Sequence, residues 1–254
     1  MPFVKHQVLP LPEDSQILWR YMDFPKFVSL IQRKALFFSG LNTLKDDPWE
    51  GRPSKLNFDE NRIVSVKSIN GHQSPLLLKD LFNKPAIEEH KQGFLRARGM
   101  FFINCWHIND SESDSQWKIY GKSPFSMAII SSVSRLSTAI VDDKKIFGSK
   151  IHYYNPRVDT TPDGNAFFLA ICKREAFVHE KEFRLIYCDF DLLQSSKYPR
   201  GVPICVDLKK MIEKVIISPL APKWFIDEVE IFIRANGFSF SCIKSDLLDE
   251  WESF

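Results

Sequence analysis

The hexad His179-Glu180-Lys181-Glu182-Phe183-Arg184 runs directly into the apolar Leu185-Ile186-Tyr187. Charged side chains are almost never fully buried unless paired, so carboxylates and a guanidinium at the mouth of a strand need partners. Side chains two apart share a face of a strand, so one reading is a polar strand edge with Glu182 paired to Arg184 and with Glu180 and Lys181 in solvent; the other is a functional cluster. The strand is expected over 182–187.

Working outward, Pro25 at a first-turn position precedes Phe27, Val28, Leu30 and Ile31, the spacing of one helix face ending near Lys34. Strands are expected at 35–39, 61–67, 100–106, 125–130, 150–154, 202–208, 215–218 and 238–243. A helix over 223–236 presents Phe225, Val229, Phe232 and Ile233 on one side and closes at Gly237. Two helical stretches over 74–98 are broken at Lys84-Pro85, because proline cannot continue a helix. Residues 166–173 are apolar and fit either element. Ser113, with Gln116 three residues on, is a capping-box signature for a short helix that puts Trp117 and Tyr120 on one face. Gly121 stands where a left-handed stop would fall. Strands mixed irregularly with short helices point to an α+β single domain over 1–254, core about 18–244, with a mixed or split sheet of about seven strands.

The chain has 254 residues, 44% of them hydrophobic, enough for a sizeable core. The 34 basic and 32 acidic residues leave +2, spread along the chain, which argues against a nucleic-acid partner held by bulk charge. Twenty-two Phe and six Trp suit a strand-rich core and pockets that stack flat ligands. The five cysteines form no Cys-x-x-Cys and sit in apolar surroundings, as expected of reduced thiols in a cytoplasmic protein. No leader and no apolar run of membrane-spanning length is read, so no membrane partner is expected.

Gly121-Lys122-Ser123 imitates the end of a phosphate-binding loop, but Gln116 stands where its first Gly belongs. Gly-x-Ser-x-Gly, His-Glu-x-x-His and Gly-x-Gly-x-x-Gly are absent from the sequence. The six histidines, His6, His72, His90, His107, His152 and His179, lack metal-ligand spacing, although His107 and His179 are candidates to meet in space. No bound metal is expected on the favoured reading. Cys105 in an apolar strand reads as an inert thiol.

An ordered set of motifs resembles the bacterial domain-of-unknown-function family number 2971. It comprises Leu18-Trp19-Arg20-Tyr21, 35–39, Asp46-Asp47-Pro48-Trp49-Glu50-Gly51, Ile103-Asn104-Cys105-Trp106, 115–121, Glu180-Lys181-Glu182-Phe183-Arg184 and Val215-Ile216-Ile217. It departs from that family at Asp46 and at Cys105-Trp106-His107. Its layout is in turn similar to ADP-ribosyltransferase-like proteins of the DNA-modifying toxin branch. That similarity implies NAD as substrate, a catalytic carboxylate pair Glu182 and Glu180, and NAD contacts from Arg20, Tyr21, Ser39, Trp117, Tyr120 and Arg184. It implies a toxin or phage-defence effector acting on nucleic acid or protein, with an antitoxin or defence-system partner. Two other classes stand beside it: a metal-dependent nuclease using Asp47, Glu50, Glu180 and Glu182, and a non-catalytic nucleotide- or partner-binding module with the hexad as a structural ion-pair lattice.

Overall fold

The computed structural model describes residues 2–67, 73–162 and 164–249; Met1 and His72 lie outside them. In chain order the strands are β1 Phe3–Val4, β2 Ile17–Asp23, β3 Ala35–Gly40, β4 Ile63–Lys67, β5 Gln73–Leu77, β6 Phe101–Ile108, β7 Ser126–Ser132, β8 Ile146–Lys150, β9 His152–Tyr154, β10 Cys172–Arg174, β11 Glu182–Cys188, β12 Gly201–Cys205, β13 Lys214–Ile217 and β14 Ser241–Lys244. The helices are α1 Phe24–Arg33, α2 Leu78–Leu81, α3 Lys84–Ala97, α4 Asp114–Tyr120, α5 Val133–Ala139, α6 Phe168–Ile171, α7 Leu208–Met211 and α8 Lys223–Ala235. The α+β class is as expected, but the main sheet has ten strands among the described residues, where about seven were expected. Part of the excess is short pieces such as the two-residue β1, which leave no periodicity to read.

Two expectations need correction. Residues 73–77 form a strand paired antiparallel with β4, not the start of a helix; Pro75 blocks helix there and tolerates a two-stranded ribbon. Gly121 has φ −103°, so it is not a left-handed stop. A Cβ there would lie 2.6 Å from the Trp117 ring, so the glycine serves close approach.

The main sheet runs β1-β8-β11-β6-β2-β7-β13-β14. One face packs on α1, α5, α7 and α8 through Phe27, Leu30, Ile31, Leu136, Val229 and Ile233, with Phe183 and Leu185 facing them. The other face carries a second cluster, in which Ile103 and Ile186 meet Leu169 and Ile171 of α6.

β6 decides where a site can form. One of its edges pairs with β11 over its whole length, from Glu182 opposite His107 to Cys188 opposite Phe101. Its other edge is shared: Phe102 and Ile103 pair with β3, while His107 and Ile108 pair with β2. Between them, at Asn104, Cys105 and Trp106, the sheet forks.

Unpaired strand edges must be satisfied somehow, and side chains do it here. Arg20 Nη1 donates to the Cys105 carbonyl at 2.9 Å and to Asn104 Oδ1 at 2.7 Å. Asn104 Nδ2 donates to the Phe37 carbonyl at 2.9 Å, and Trp106 Nε1 to Asn104 Oδ1 at 2.9 Å. The fork is thus held open by a polar clasp.

Candidate active site

A cavity of about 750 Å³ opens at the fork, within the range that takes cofactor-sized ligands. Strands β2, β3 and β6 supply Arg20, Tyr21, Ser39, Asn104 and Cys105. Helix α1 supplies Lys26 and Arg33, α4 supplies Gln116 and Tyr120, and the hexad with its partners supplies Glu50, Lys173, Glu180, Glu182 and Arg184.

The hexad reaches the cavity through a backbone turn. Lys181 sits at φ 38°, a left-handed conformation that costs a non-glycine residue on the order of 1 kcal/mol or more. The turn brings Glu180, which precedes the strand, round to the same ammonium as Glu182. Lys181 itself is exposed, as expected, but Glu180 is not in solvent: its carboxylate is only 12% exposed and bound by Lys173.

The pairing of Glu182 with Arg184 is as expected. Arg184 donates from Nε to Glu182 Oε1 at 2.7 Å and from Nη2 to Glu182 Oε2 at 2.9 Å. Its Nη2 also reaches Glu50, and Nη1 donates to the Ala170 carbonyl at 2.7 Å. Lys173 Nζ lies 3.1 Å from Glu182 Oε2 and 3.9 Å from Glu50 Oε1. Three carboxylates meet two cations, which leaves one net negative charge in a place nearly without water.

Burial opposes ionisation of Glu182, yet the Arg184 guanidinium and the Lys173 ammonium outweigh it and hold the carboxyl at about 2. Burial pushes Glu180 the other way, upward, despite Lys173 beside it. The two acids are therefore driven apart: Glu182 is a fixed anion and Glu180 the better proton acceptor. Burial, then Glu182, raises the Cys105 thiol well above its ordinary value, which agrees with an inert, neutral sulfur.

A carboxyl depressed in the folded state stabilises above its unfolded pKa, and that stability is lost as pH falls through the folded one. Between about 4.5 and about 2, the wild-type chain is expected to lose on the order of 3 kcal/mol that Glu182→Gln lacks. Thermal melts across that range should show the gap between the two proteins closing as pH falls.

The other expected residues divide. Arg20, Tyr21, Ser39, Tyr120 and both glutamates line the cavity, and they share it with Arg184. Trp117 does not: it is buried under Tyr21, the rings edge to face at 4.9 Å, and its indole donates to Glu112 at 2.9 Å. Its expected role in stacking a ligand is withdrawn, because the helix turns that residue toward the sheet. Arg184 also needs correction. It is 1% exposed with its donors taken by Glu182, Glu50 and Ala170, so it holds Glu182 rather than a ligand.

Tyr21 keeps a cavity wall while its hydroxyl accepts from Ser113 N at 3.0 Å. Asp47 is gripped by Arg174 at 2.6 and 3.1 Å, and Arg174 lies against the rings of Trp49 and Phe177. The carboxylates proposed for a nuclease metal are thus each held by a cation. Among the described residues no group of His, Cys, Asp and Glu is arranged to hold a metal ion. His107 and His179 form no such group; His107 Nδ1 lies 2.6 Å from the Glu180 carbonyl.

Sequence reasoning missed Lys173, hidden at the end of an apolar stretch, and Asn104, quoted only as part of a motif. A lysine directly after Ala170-Ile171-Cys172 was the available signal, since it had to find an acid.

The cavity is lined by cations as well as acids. Arg20 is half-buried with no carboxylate within ion-pair distance among the described residues, and Arg33 and Lys26 also line the cavity, Lys26 paired to Asp23 at 2.9 Å. Burial lowers the Arg20 pKa, the mark of a cation short of compensation.

Among solved structures, the chain is similar to DarT of Thermus sp. 2.9 in complex with NAD+, at 9% identity and a TM-score of 0.40 over 93% of this chain and 98% of that one. The same protein in complex with ADP-ribosylated single-stranded DNA matches at 8% and 0.39, over 93% of this chain and 97% of that one. No family model and no curated protein matches the chain. A structural likeness of this degree decides nothing about chemistry, which rests on the side chains described above.

Proposed function

We propose that the chain is an NAD-consuming, ADP-ribosyltransferase-like enzyme, acting as a toxin or phage-defence effector on nucleic acid or protein. The observation that supports it most is Glu182, an ionised carboxylate fixed by two cations on the wall of a cavity that Arg20, a cation without an ion-pair partner among the described residues, also lines. NAD carries the matching polarity: a positively charged nicotinamide ring on one ribose, and a pyrophosphate further along.

In this reading the pyrophosphate lies against Arg20, whose guanidinium suits two phosphate oxygens at once. The nicotinamide ribose lies by Glu182. As the C1′–N bond breaks, its electron pair leaves with nicotinamide and neutralises the pyridinium, while positive charge moves onto the ribose. A preorganised anion in a dry cleft stabilises that charge where it forms. The acceptor, water or a nucleophile on the target, bonds to C1′ and gives its proton to Glu180, the more basic of the two acids. Tyr120, 45% exposed at the cavity edge, supplies a ring for stacking.

The expected result is release of nicotinamide from NAD by the purified chain; no release, with or without candidate acceptors, would refute the reading. Arg20→Gln should raise the KM for NAD about tenfold to a hundredfold, as for a lost charge-assisted bond, and change kcat much less. Equal loss in both parameters would move Arg20 from the binding role to the clasp alone.

A further inference from the structure

Gln116 is 2% exposed, lines the cavity, and its Nε2 has no hydrogen-bond partner among the described residues. Buried donors are rarely left so, because an unmade bond costs the desolvation of the group. The local structure shows how this donor came to be free. Ser113 caps α4 by accepting from Gln116 N at 3.4 Å, which is half of the capping box. In the complete box the glutamine side chain returns to the serine N–H. Here Ser113 N donates to the Tyr21 hydroxyl instead. Tyr21 has replaced the glutamine in the cap, and Gln116, a residue of the cavity lining, is left with an unpaired Nε2.

We infer that Gln116 is a ligand-recognition residue that reads a primary carboxamide on an aromatic ring. The inference rests on the reading of the cavity as an NAD site and adds how the departing group is chosen. A glutamine amide carries a donor, Nε2, beside an acceptor, Oε1, and a primary carboxamide is its complement, so the two pair through two parallel hydrogen bonds. Position agrees with this. Gln116 and Tyr120 are one helical turn apart on α4 and both line the cavity. Lys173, Glu180 and Glu182 line the same cavity, so Gln116 shares it with the carboxylate beside which the nicotinamide ribose would lie. A carboxylate in place of the carboxamide has no N–H for Oε1 and brings a second negative charge beside Glu180 and Glu182. The site should reject nicotinic acid and deamidated NAD.

The test uses the full chain, wild type and Gln116→Leu, with Gln116→Met as the closer isostere should the first fail to fold. Binding of nicotinamide and of nicotinic acid is measured by titration calorimetry or ligand-observed NMR, and nicotinamide release from NAD is measured in parallel. The wild type is expected to prefer nicotinamide by about tenfold or more, and the variant to lose that preference with a rise of about tenfold in the KM for NAD, as for one or two lost neutral hydrogen bonds. Nicotinamide binding that the wild type lacks, or a preference that the variant keeps, overturns the inference. The two readings fail separately. A Gln116-dependent carboxamide preference without NAD turnover sinks the enzymatic reading and leaves this one standing. NAD turnover with KM and discrimination unchanged in the variant sinks only this one.

Discussion

Glu182→Gln is expected to lower nicotinamide release by about a hundredfold to a thousandfold, the loss seen when one preorganised group that stabilises transition-state charge is removed. The substitution keeps the size of the side chain and one of its two acceptor oxygens: an amide oxygen in the place of Oε2 can still accept from Lys173 and from Arg184 Nη2, which the carboxylate engages at 3.1 and 2.9 Å, while the amide nitrogen takes the place of the oxygen that accepts from Arg184 Nε. What it removes is the charge and that second acceptor. The effect should therefore fall on kcat, because the substrate already carries its positive charge on the ring, and the ribose becomes positive only as the bond breaks. A non-catalytic module with the hexad as scaffold predicts a different outcome: a lower melting temperature and no activity to lose. The assay is run below the melting temperature of the variant, so that the two outcomes stay separate.

The largest expected effect on stability is at Arg184. This side chain is 1% exposed and is the cation that Glu182 and Glu50 share. Arg184→Met leaves three carboxylates facing Lys173 alone, and breaking a buried pair in this way costs about 3–5 kcal/mol. For a chain of this length the melting temperature should fall on the order of 10 °C. Adding Glu182→Leu returns the lattice to its original net charge and should recover part of the loss, since an apolar pair can replace a buried ion pair at little cost. Activity should stay absent in the double variant. A melting temperature unchanged in Arg184→Met would show that the lattice is not under the electrostatic tension described for it.

Much of the fold was legible in local pattern. The strand at 35–39, buried at Leu36 and Phe38 but not at Phe37, the strand entered by Glu182 and the amphipathic helix ending at Gly237 all follow from periodicity and punctuation that one segment carries by itself. What could not be read is what two segments decide together. The ribbon at 73–77 takes strand form through its pairing with β4, and the ten-strand order depends on non-local pairings throughout.

The site divides in the same way. Glu182 and Arg184 stand two apart, and their pairing is a property of any strand. The contact of Arg184 with Glu50 joins residues 134 positions apart, and that of Arg20 with Asn104 joins residues 84 apart. Trp117 and Tyr120 share a helix face in the sequence, yet only Tyr120 and Gln116 reach the cavity. Which side of α4 turns outward is set by the packing of Trp117 against Tyr21.

The most direct measurement is a crystal structure of the chain with a hydrolysis-resistant NAD analogue. The nicotinamide ribose should lie within hydrogen-bond reach of the Glu182 carboxylate, with the pyrophosphate on Arg20. An analogue that binds elsewhere at saturating concentration, or that lies in the fork with its ribose turned away from Glu182, would contradict the account.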